Sequence, residues 1–226
     1  MRNVVSARRR GGFELTFAVL LLVAACSWVD SSPLPDAAAS AQQNYSELFS
    51  RAQQLTEQKK YPEAAKTYEQ ILRLTPDSFQ ALNNLGVLYA HMEKYHLAAG
   101  AYERALRLKP DAYPLLVNLG LCYFKSGDFK AAIPPFSHAV TLQPDNFQAR
   151  TLLAMSYYST QEFKPASREF EKLIAVKPDN STLQYLLAES YLRSGQNQKM
   201  IDYFQQILRH SPNSVTEHML MGEAED

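Results

Sequence analysis

The sequence has few of the residues on which several protein classes depend. It contains two cysteines, Cys26 and Cys122, among 226 residues, and this count excludes a disulfide framework. Its 23 basic residues balance its 23 acidic residues, so no excess of positive charge points to a nucleic-acid partner. Hydrophobic residues make up 46% of the chain, which excludes a disordered protein and provides material for a core.

Groups that could support catalysis are also scarce. Of the eight glycines, all except Gly100 belong to the N-terminal segment or to the repeated pattern described below, so no phosphate-binding loop is present. The five histidines show no metal-ligand spacing, and the sequence contains neither G-x-S-x-G nor H-E-x-x-H. We therefore expect no enzyme activity, no metal, no cofactor and no small-molecule substrate.

The first 25 residues have the pattern of an export signal. Four arginines lie among the first ten residues, and residues 15–25, LTFAVLLLVAA, form an uncharged apolar core of signal-peptide length. This core is shorter than a typical membrane-spanning helix, and Glu14 and Asp30 bound it on its two sides. We predict that residues 1–25 are a signal peptide.

The apolar core ends at residues 23–26, VAAC, which resemble the lipobox of bacterial lipoproteins. The resemblance implies cleavage before Cys26 and acylation of that cysteine, since more than one acyl chain is needed to hold a protein on a bilayer. The implied location is the periplasm or the outer membrane of a bacterium. One alternative is ordinary signal-peptide cleavage, for which residues 39–41 offer a second site and which would give a secreted protein. The other alternative is an uncleaved anchor in the inner membrane.

Residues 26–44 have the composition of a linker. The stretch 27–43, SWVDSSPLPDAAASAQQ, contains small residues and prolines and has neither a helical nor a strand period. We predict a flexible connection between the anchor and the folded part of the chain.

The rest of the chain repeats itself every 34 residues. Prolines recur at this interval at Pro76, Pro110, Pro144, Pro178 and Pro212. Buried aromatic candidates lie eight residues before each proline, at Tyr68, Tyr102, Phe136, Phe170 and Phe204. Small residues keep the same interval at Ala64, Ala98, Ala132 and Ala166. Five copies in register indicate a repeat architecture.

This pattern resembles the tetratricopeptide repeat, a helix–turn–helix unit of 34 residues. Residues 82–89, LNNLGVLY, and 116–123, LVNLGLCY, carry the leucine-glycine-x-x-tyrosine step of that family. The resemblance implies an all-α solenoid of antiparallel helix pairs. We predict five repeats, at residues 45–78, 79–112, 113–146, 147–180 and 181–214, followed at 215–226 by a capping helix or the first helix of a sixth repeat.

The helical period is visible within the third repeat. Its first predicted helix carries one stripe at Leu116, Leu119, Gly120 and Tyr123. Its second carries another at Ala132, Phe136, Ala139 and Val140, after a turn at residues 126–128. Gly120 and Ala132 allow the helices to approach closely, while Pro134 and Pro135 are expected to bend or delay the second helix. Cys122 has no thiol counterpart in the other repeats, and we predict a buried structural thiol.

The resemblance implies that the first helix of each repeat lines a concave groove that binds other proteins. Because these helices are apolar on more than one face, we predict an apolar and aromatic groove for a peptide or helical segment, unless neighbouring helices cover that surface themselves. The predicted groove residues are Asn84, Val87, Val117, Asn118, Leu121, Phe124, Leu152, Met155, Tyr158, Tyr185, Leu186 and Leu192.

Asn84 and Asn118 occupy the position at which some members of the family hold the terminal carboxylate of a peptide. Asn83 and Val117 stand where a clamp lysine is expected, which argues against binding of chaperone tails. The sequence thus predicts a non-catalytic, exported and membrane-anchored scaffold that binds protein segments, in envelope or pilus assembly. The alternative is the targeting segment of a longer enzyme or regulatory protein.

Overall fold

A computed structural model of the chain describes residues 35–210. Within this range the chain forms ten α-helices and no strand, and the boundary between two compact units falls between Asn44 and Tyr45. Consecutive helices form five pairs, α1/α2 to α9/α10. The helices are α1 (Pro35–Glu57), α2 (Tyr61–Leu74), α3 (Phe79–His91), α4 (Tyr95–Leu108), α5 (Tyr113–Lys125), α6 (Phe129–Leu142), α7 (Phe147–Ser159), α8 (Phe163–Val176), α9 (Ser181–Arg193) and α10 (Asn197–His210).

The helix α1 differs from the linker predicted at residues 26–44, because residues 35–44 are helical. A proline at the first helical position is already fixed near the helical φ, and the alanines that follow have the highest helix propensity. These local preferences require no amphipathic period, which explains why the hydrophobic pattern did not reveal them. Residues 1–34, including Cys26, and residues 211–226 lie outside the described range.

The helices of one pair are joined by turns with a repeated backbone conformation. A residue with positive φ recurs every 34 positions, at Lys59, Glu93, Gly127, Gln161 and Gly195. Glycine adopts this conformation without steric cost, whereas the other three residues are held in it by the packing of their helices. The turn predicted at residues 126–128 is therefore confirmed, with Gly127 as its left-handed residue at φ 81°.

Side-chain caps fix the start of several helices. The side chain of Asn146 accepts a hydrogen bond from the amide of Ala149 at 2.9 Å, before α7. Asn180 makes the same bond before α9, to the amide of Leu183 at 3.0 Å. Such bonds satisfy amides that have no acceptor within the helix. The caps set the register of the first helices and thereby the direction in which their side chains point.

The core consists of aromatic rings packed against small residues. Tyr68, Tyr102, Phe136, Phe170 and Phe204 are at most 2% exposed, which confirms the periodic aromatic series as core. An added Cβ at Gly120 would lie 2.5 Å from Cε1 of Phe136, and one at Gly86 would lie 2.6 Å from Cε1 of Tyr102. The predicted close approach of the two helices at Gly120 is thus confirmed.

Tyrosine hydroxyl groups connect consecutive repeats. Tyr89 donates to the carboxylate of Glu69, and Tyr123 makes the equivalent bond to Glu103. Burial, followed by the neighbouring carboxylate, raises the pKa of both phenols to about 12. A third equivalent bond joins Tyr191 to the Oε1 of Glu171 at 2.7 Å.

The junction between the third and fourth repeats is built differently. Ser137 stands where the first, second and fourth repeats have the glutamate acceptor. Within the fourth repeat, Arg150 on α7 pairs with Glu169 on α8, with exposed side-chain fractions of 11% and 14%. Pro134 and Pro135 lie inside α6, which is continuous from Phe129. The expected delay of this helix was wrong, because five helical residues precede Pro134 and six precede Pro135. The two prolines remove only the amide donors to the carbonyls of Lys130 and Ala131, in the first turn of the helix.

None of the helices in the described range combines the length and the apolar character needed to cross a membrane.

Candidate functional site

The predicted groove residues lie on four first helices of the repeats. Asn84 and Val87 lie on α3, the next four on α5, three on α7 and the last three on α9. Tyr185 and Leu192 are 50% and 41% exposed, and the others are half-buried. We call the surface formed by these residues, together with the cavities between their helices, the groove.

The first cavity of the groove lies between α1, α2 and α3 and has a volume of about 200 Å³. The side chain of Asn84 donates a hydrogen bond to the hydroxyl of Tyr68 at 2.9 Å, and Thr56 also contacts this hydroxyl. The pKa of Tyr68 is raised by burial, although the bond from Asn84 opposes that shift. The cavity is lined by Gln53, Thr56, Glu57, Tyr68, Asn84, Val87 and Leu88.

The second cavity repeats this arrangement one repeat further along the chain. It lies between α3, α4 and α5 and has a volume of about 460 Å³. Here the side chain of Asn118 lies near the hydroxyl of Tyr102 and opposes the rise in the pKa of Tyr102, which burial raises well above its ordinary value. The cavity is lined by Val87, Ala90, His91, Glu93, Tyr95, Tyr102, Asn118, Leu121, Cys122 and Lys125.

The next two junctions between consecutive repeats have apolar side chains at the places of the tyrosine and the asparagine. Phe136 replaces the tyrosine and Leu152 the asparagine, and the two belong to one hydrophobic cluster. One repeat further, Phe170 and Leu186 take the same two places and also share a cluster. The groove therefore changes from amide and hydroxyl groups to hydrocarbon between its second and third repeat-to-repeat junctions.

Aromatic side chains border the apolar part of the groove. The ring of Phe124 packs edge-on against Phe129, at 5.0 Å between ring centroids, and Tyr158 packs in the same way against Phe163 at 5.6 Å. The hydroxyl of Tyr158 donates to Glu189, and burial followed by this carboxylate raises the pKa of Tyr158 to about 12. Phe124 and Tyr158 thus support the wall of the groove as well as facing it.

Groups that can carry positive charge lie on rings at the edge of the groove. The imidazole of His91 stacks on Tyr61 at 5.3 Å between ring centroids, and the guanidinium of Arg193 lies 4.8 Å from the ring centroid of Phe163. Contacts of this kind hold long side chains in place while leaving their polar ends accessible. Lys125 also lines the second cavity.

Sequence reasoning missed the tyrosine hydroxyls as part of the groove, because Tyr68 and Tyr102 were assigned to the core only. Their rings are indeed buried, but their hydroxyl groups meet the asparagines of the next repeat. The signal was present in the aligned repeats, where tyrosine always accompanies asparagine sixteen residues later and phenylalanine always accompanies leucine. The sequence did not reveal that the two positions touch.

Little in the described residues resembles a reactive site. Cys122 is 3% exposed, which confirms a buried thiol, and burial raises its pKa to about 11. A thiol with such a pKa is a poor nucleophile at neutral pH. Within residues 35–210 no group of three His, Cys, Asp or Glu side chains is placed to hold a metal ion.

The architecture is that of a helical-repeat scaffold for protein–protein interactions, and comparison with known families agrees. Family models described as tetratricopeptide repeat match residues 49–112 and 91–147, 124–189, and 182–214. The chain belongs to the tetratricopeptide repeat family. No curated protein matches the sequence.

Several solved structures share the fold. The structure of YrrB, a TPR protein with an unusual peptide-binding site, is 23% identical, with 77% of this chain and 88% of that chain covered at a TM-score of 0.58. A MamA structure is 20% identical, with 76% and 92% covered at a TM-score of 0.59. A tetratricopeptide repeat protein from Parabacteroides merdae is 21% identical, with 80% and 71% covered at 0.52. At these identities the likeness concerns the fold.

Proposed function

We propose that this protein is an exported, lipid-anchored scaffold that binds segments of other proteins in the groove. The observation that carries the proposal is the pair of cavities in the groove, one between α1 and α3 and the other between α3 and α5. These cavities combine apolar walls with a few polar groups, which is the composition of peptide-recognition sites. The peptide-binding site named for YrrB supports the same use of this fold.

Binding can be tested with a library of random twelve-residue peptides displayed on phage and selected on the immobilised full chain. Five first helices spaced about 8–10 Å apart cover roughly 40 Å, which about twelve extended residues span. We expect enriched peptides that lose most of their binding to a variant carrying Tyr185→Ala and Leu192→Ala, because these are the most exposed apolar side chains of the groove.

The matched control is Val176→Ala, which truncates a 67% exposed apolar side chain at the end of α8, outside the groove. This variant should bind the selected peptides as the unchanged protein does. Failure to enrich any peptide, or equal loss of binding in the control, would contradict the proposal.

We propose that Cys26 carries the lipid. The support is the sequence VAAC after an apolar core of signal-peptide length, with basic residues before it. On this basis we propose a location on the periplasmic side of a bacterial membrane, in particular the outer membrane. A role in envelope or pilus assembly would follow from that location and the scaffold fold.

Acylation predicts a defined mass change. After expression in a bacterial host, the mature chain should begin at Cys26, exceed its unmodified mass by the mass of the acyl chains, and sediment with membranes. The Cys26→Ser variant should lose both the added mass and the membrane association. An unmodified mature chain in the soluble periplasmic fraction would refute the lipid anchor and leave the groove proposal untouched.

A further inference from the structure

The four repeat-to-repeat positions of the groove change their chemistry as matched pairs. In the first two, Asn84 contacts Tyr68 and Asn118 contacts Tyr102. In the last two, leucine faces phenylalanine, at residues 152 and 136 and at residues 186 and 170. Both members change together at both places, so each pair keeps a matched contact while amide and hydroxyl groups are replaced by hydrocarbon.

The polar pairs offer hydrogen bonds that they do not use among themselves. In the bond between Asn84 and Tyr68 the amide nitrogen donates, which leaves the carbonyl oxygen of Asn84 able to accept a hydrogen bond at the edge of the cavity. Gln53 and Thr56 border the same cavity with further polar groups. A segment bound here can pair its backbone amides or polar side chains.

The apolar pairs offer the opposite. Leu152 and Leu186 provide no donor or acceptor, and Met155, Leu192 and the exposed ring of Tyr185 extend the hydrocarbon surface around them. A polar segment placed on Leu152 and Leu186 would find no hydrogen-bond partner in these two side chains, and burying an unpaired polar group is unfavourable. Large apolar side chains gain from the same burial.

We infer that the groove selects protein segments that are themselves divided, with an extended polar half bound along α1, α3 and α5 and an apolar half carrying two or three large aliphatic or aromatic residues bound along α7 and α9. This inference rests on the proposed function, because it names the chemistry of the partner that the groove binds. It also places the polar half of the segment at the N-terminal repeats and the apolar half at the C-terminal repeats.

Reciprocal exchange of the pairs tests the inference within one chain. The apolar exchange combines Tyr68→Phe with Asn84→Leu and Tyr102→Phe with Asn118→Leu. The polar exchange combines Phe136→Tyr with Leu152→Asn and Phe170→Tyr with Leu186→Asn. Each exchange introduces a pair that the chain already contains at an equivalent position, and circular dichroism with thermal unfolding verifies the fold of each variant.

The readout is the composition of the peptides selected from the random twelve-residue library. Only groove-binding peptides are counted, which are those that bind poorly to the variant carrying Tyr185→Ala and Leu192→Ala. The unchanged protein should select peptides with their apolar residues gathered in one half. The apolar exchange should select peptides that are apolar along their length. A fluorescein-labelled consensus peptide of the unchanged protein should bind the exchange variants about tenfold more weakly in fluorescence anisotropy, since two hydrogen-bonding positions are removed or misplaced.

Each outcome decides a separate question. Selected peptides with evenly distributed apolar residues, or with a composition that the exchanges do not change, would overturn the division of the groove while peptide binding stands. Failure to enrich any peptide on the unchanged protein would refute the proposed function itself. If the polar exchange does not fold, the apolar exchange alone decides, because it removes polar groups from positions that tolerate phenylalanine and leucine elsewhere in the chain.

Discussion

Truncating Phe136 to alanine is expected to lower the free energy of unfolding by about 3–5 kcal/mol, the typical cost of removing a buried phenylalanine. The ring is fully buried and belongs to the cluster that contains Ala132 and Leu153. It also fills the space against Gly120, where no side chain is available to move into the cavity. Urea unfolding followed by circular dichroism measures the change.

The control for this prediction is Leu97→Ala. Leu97 lies on α4 and is 52% exposed, so its truncation should change the free energy of unfolding by no more than about 0.5 kcal/mol. A loss below about 1 kcal/mol for Phe136→Ala would mean that the third helix pair is not packed as described.

The substitution Gly120→Ala is expected to destabilise the protein by about 1–3 kcal/mol, through overpacking. The new methyl group would lie 2.5 Å from Cε1 of Phe136, far inside normal contact distance. Phe136 is fully buried and cannot swing away, so the two helices must separate. Alanine gains helix propensity over glycine, but this gain of about 1 kcal/mol offsets only part of the steric cost.

Gly100→Ala makes the same chemical change where there is room. Gly100 lies inside α4, and an added Cβ would meet nothing within 4 Å. This variant should therefore stabilise the protein by about 0.5–1 kcal/mol, through helix propensity alone. Thermal unfolding of both variants should give midpoints that move in opposite directions. Equal shifts of the same sign would contradict the close contact between Gly120 and Phe136.

The destabilisation expected for alanine at Gly120 is caused by the close spacing of the two helices of this pair. Ala154 and Ala188 occupy the equivalent positions in the last two repeats, where they pack in the same clusters as Phe170 and Phe204. Alanine is thus compatible with the repeat where the backbones are placed to accept it. The second and third repeats use the closer approach that glycine allows, and for this reason the effect cannot be inferred from the identity of the residue alone.

Much of the fold follows from the sequence because its causes are local and repeated. The 34-residue period, the helical stripes and the turn at Gly127 each depend on residues close together in the chain, and all three agree with the structure. The helical start of α1 and the continuity of α6 through two prolines were not predicted. In both cases the hydrophobic pattern is silent about backbone preferences and about the contacts that replace lost hydrogen bonds.

The sequence by itself determined that this protein is a stack of helix pairs with aromatic cores, since side chains of alternating bulk at a helical period can be buried in no simpler way. The tertiary structure alone decided that Tyr68 meets Asn84, sixteen residues away on a neighbouring helix, and hence that the groove has a polar and an apolar part. Such a contact depends on how far adjacent helices are rotated and how closely they approach. Those quantities arise from the packing of the whole array, so the sequence shows that tyrosine and asparagine recur together sixteen residues apart but not that they touch.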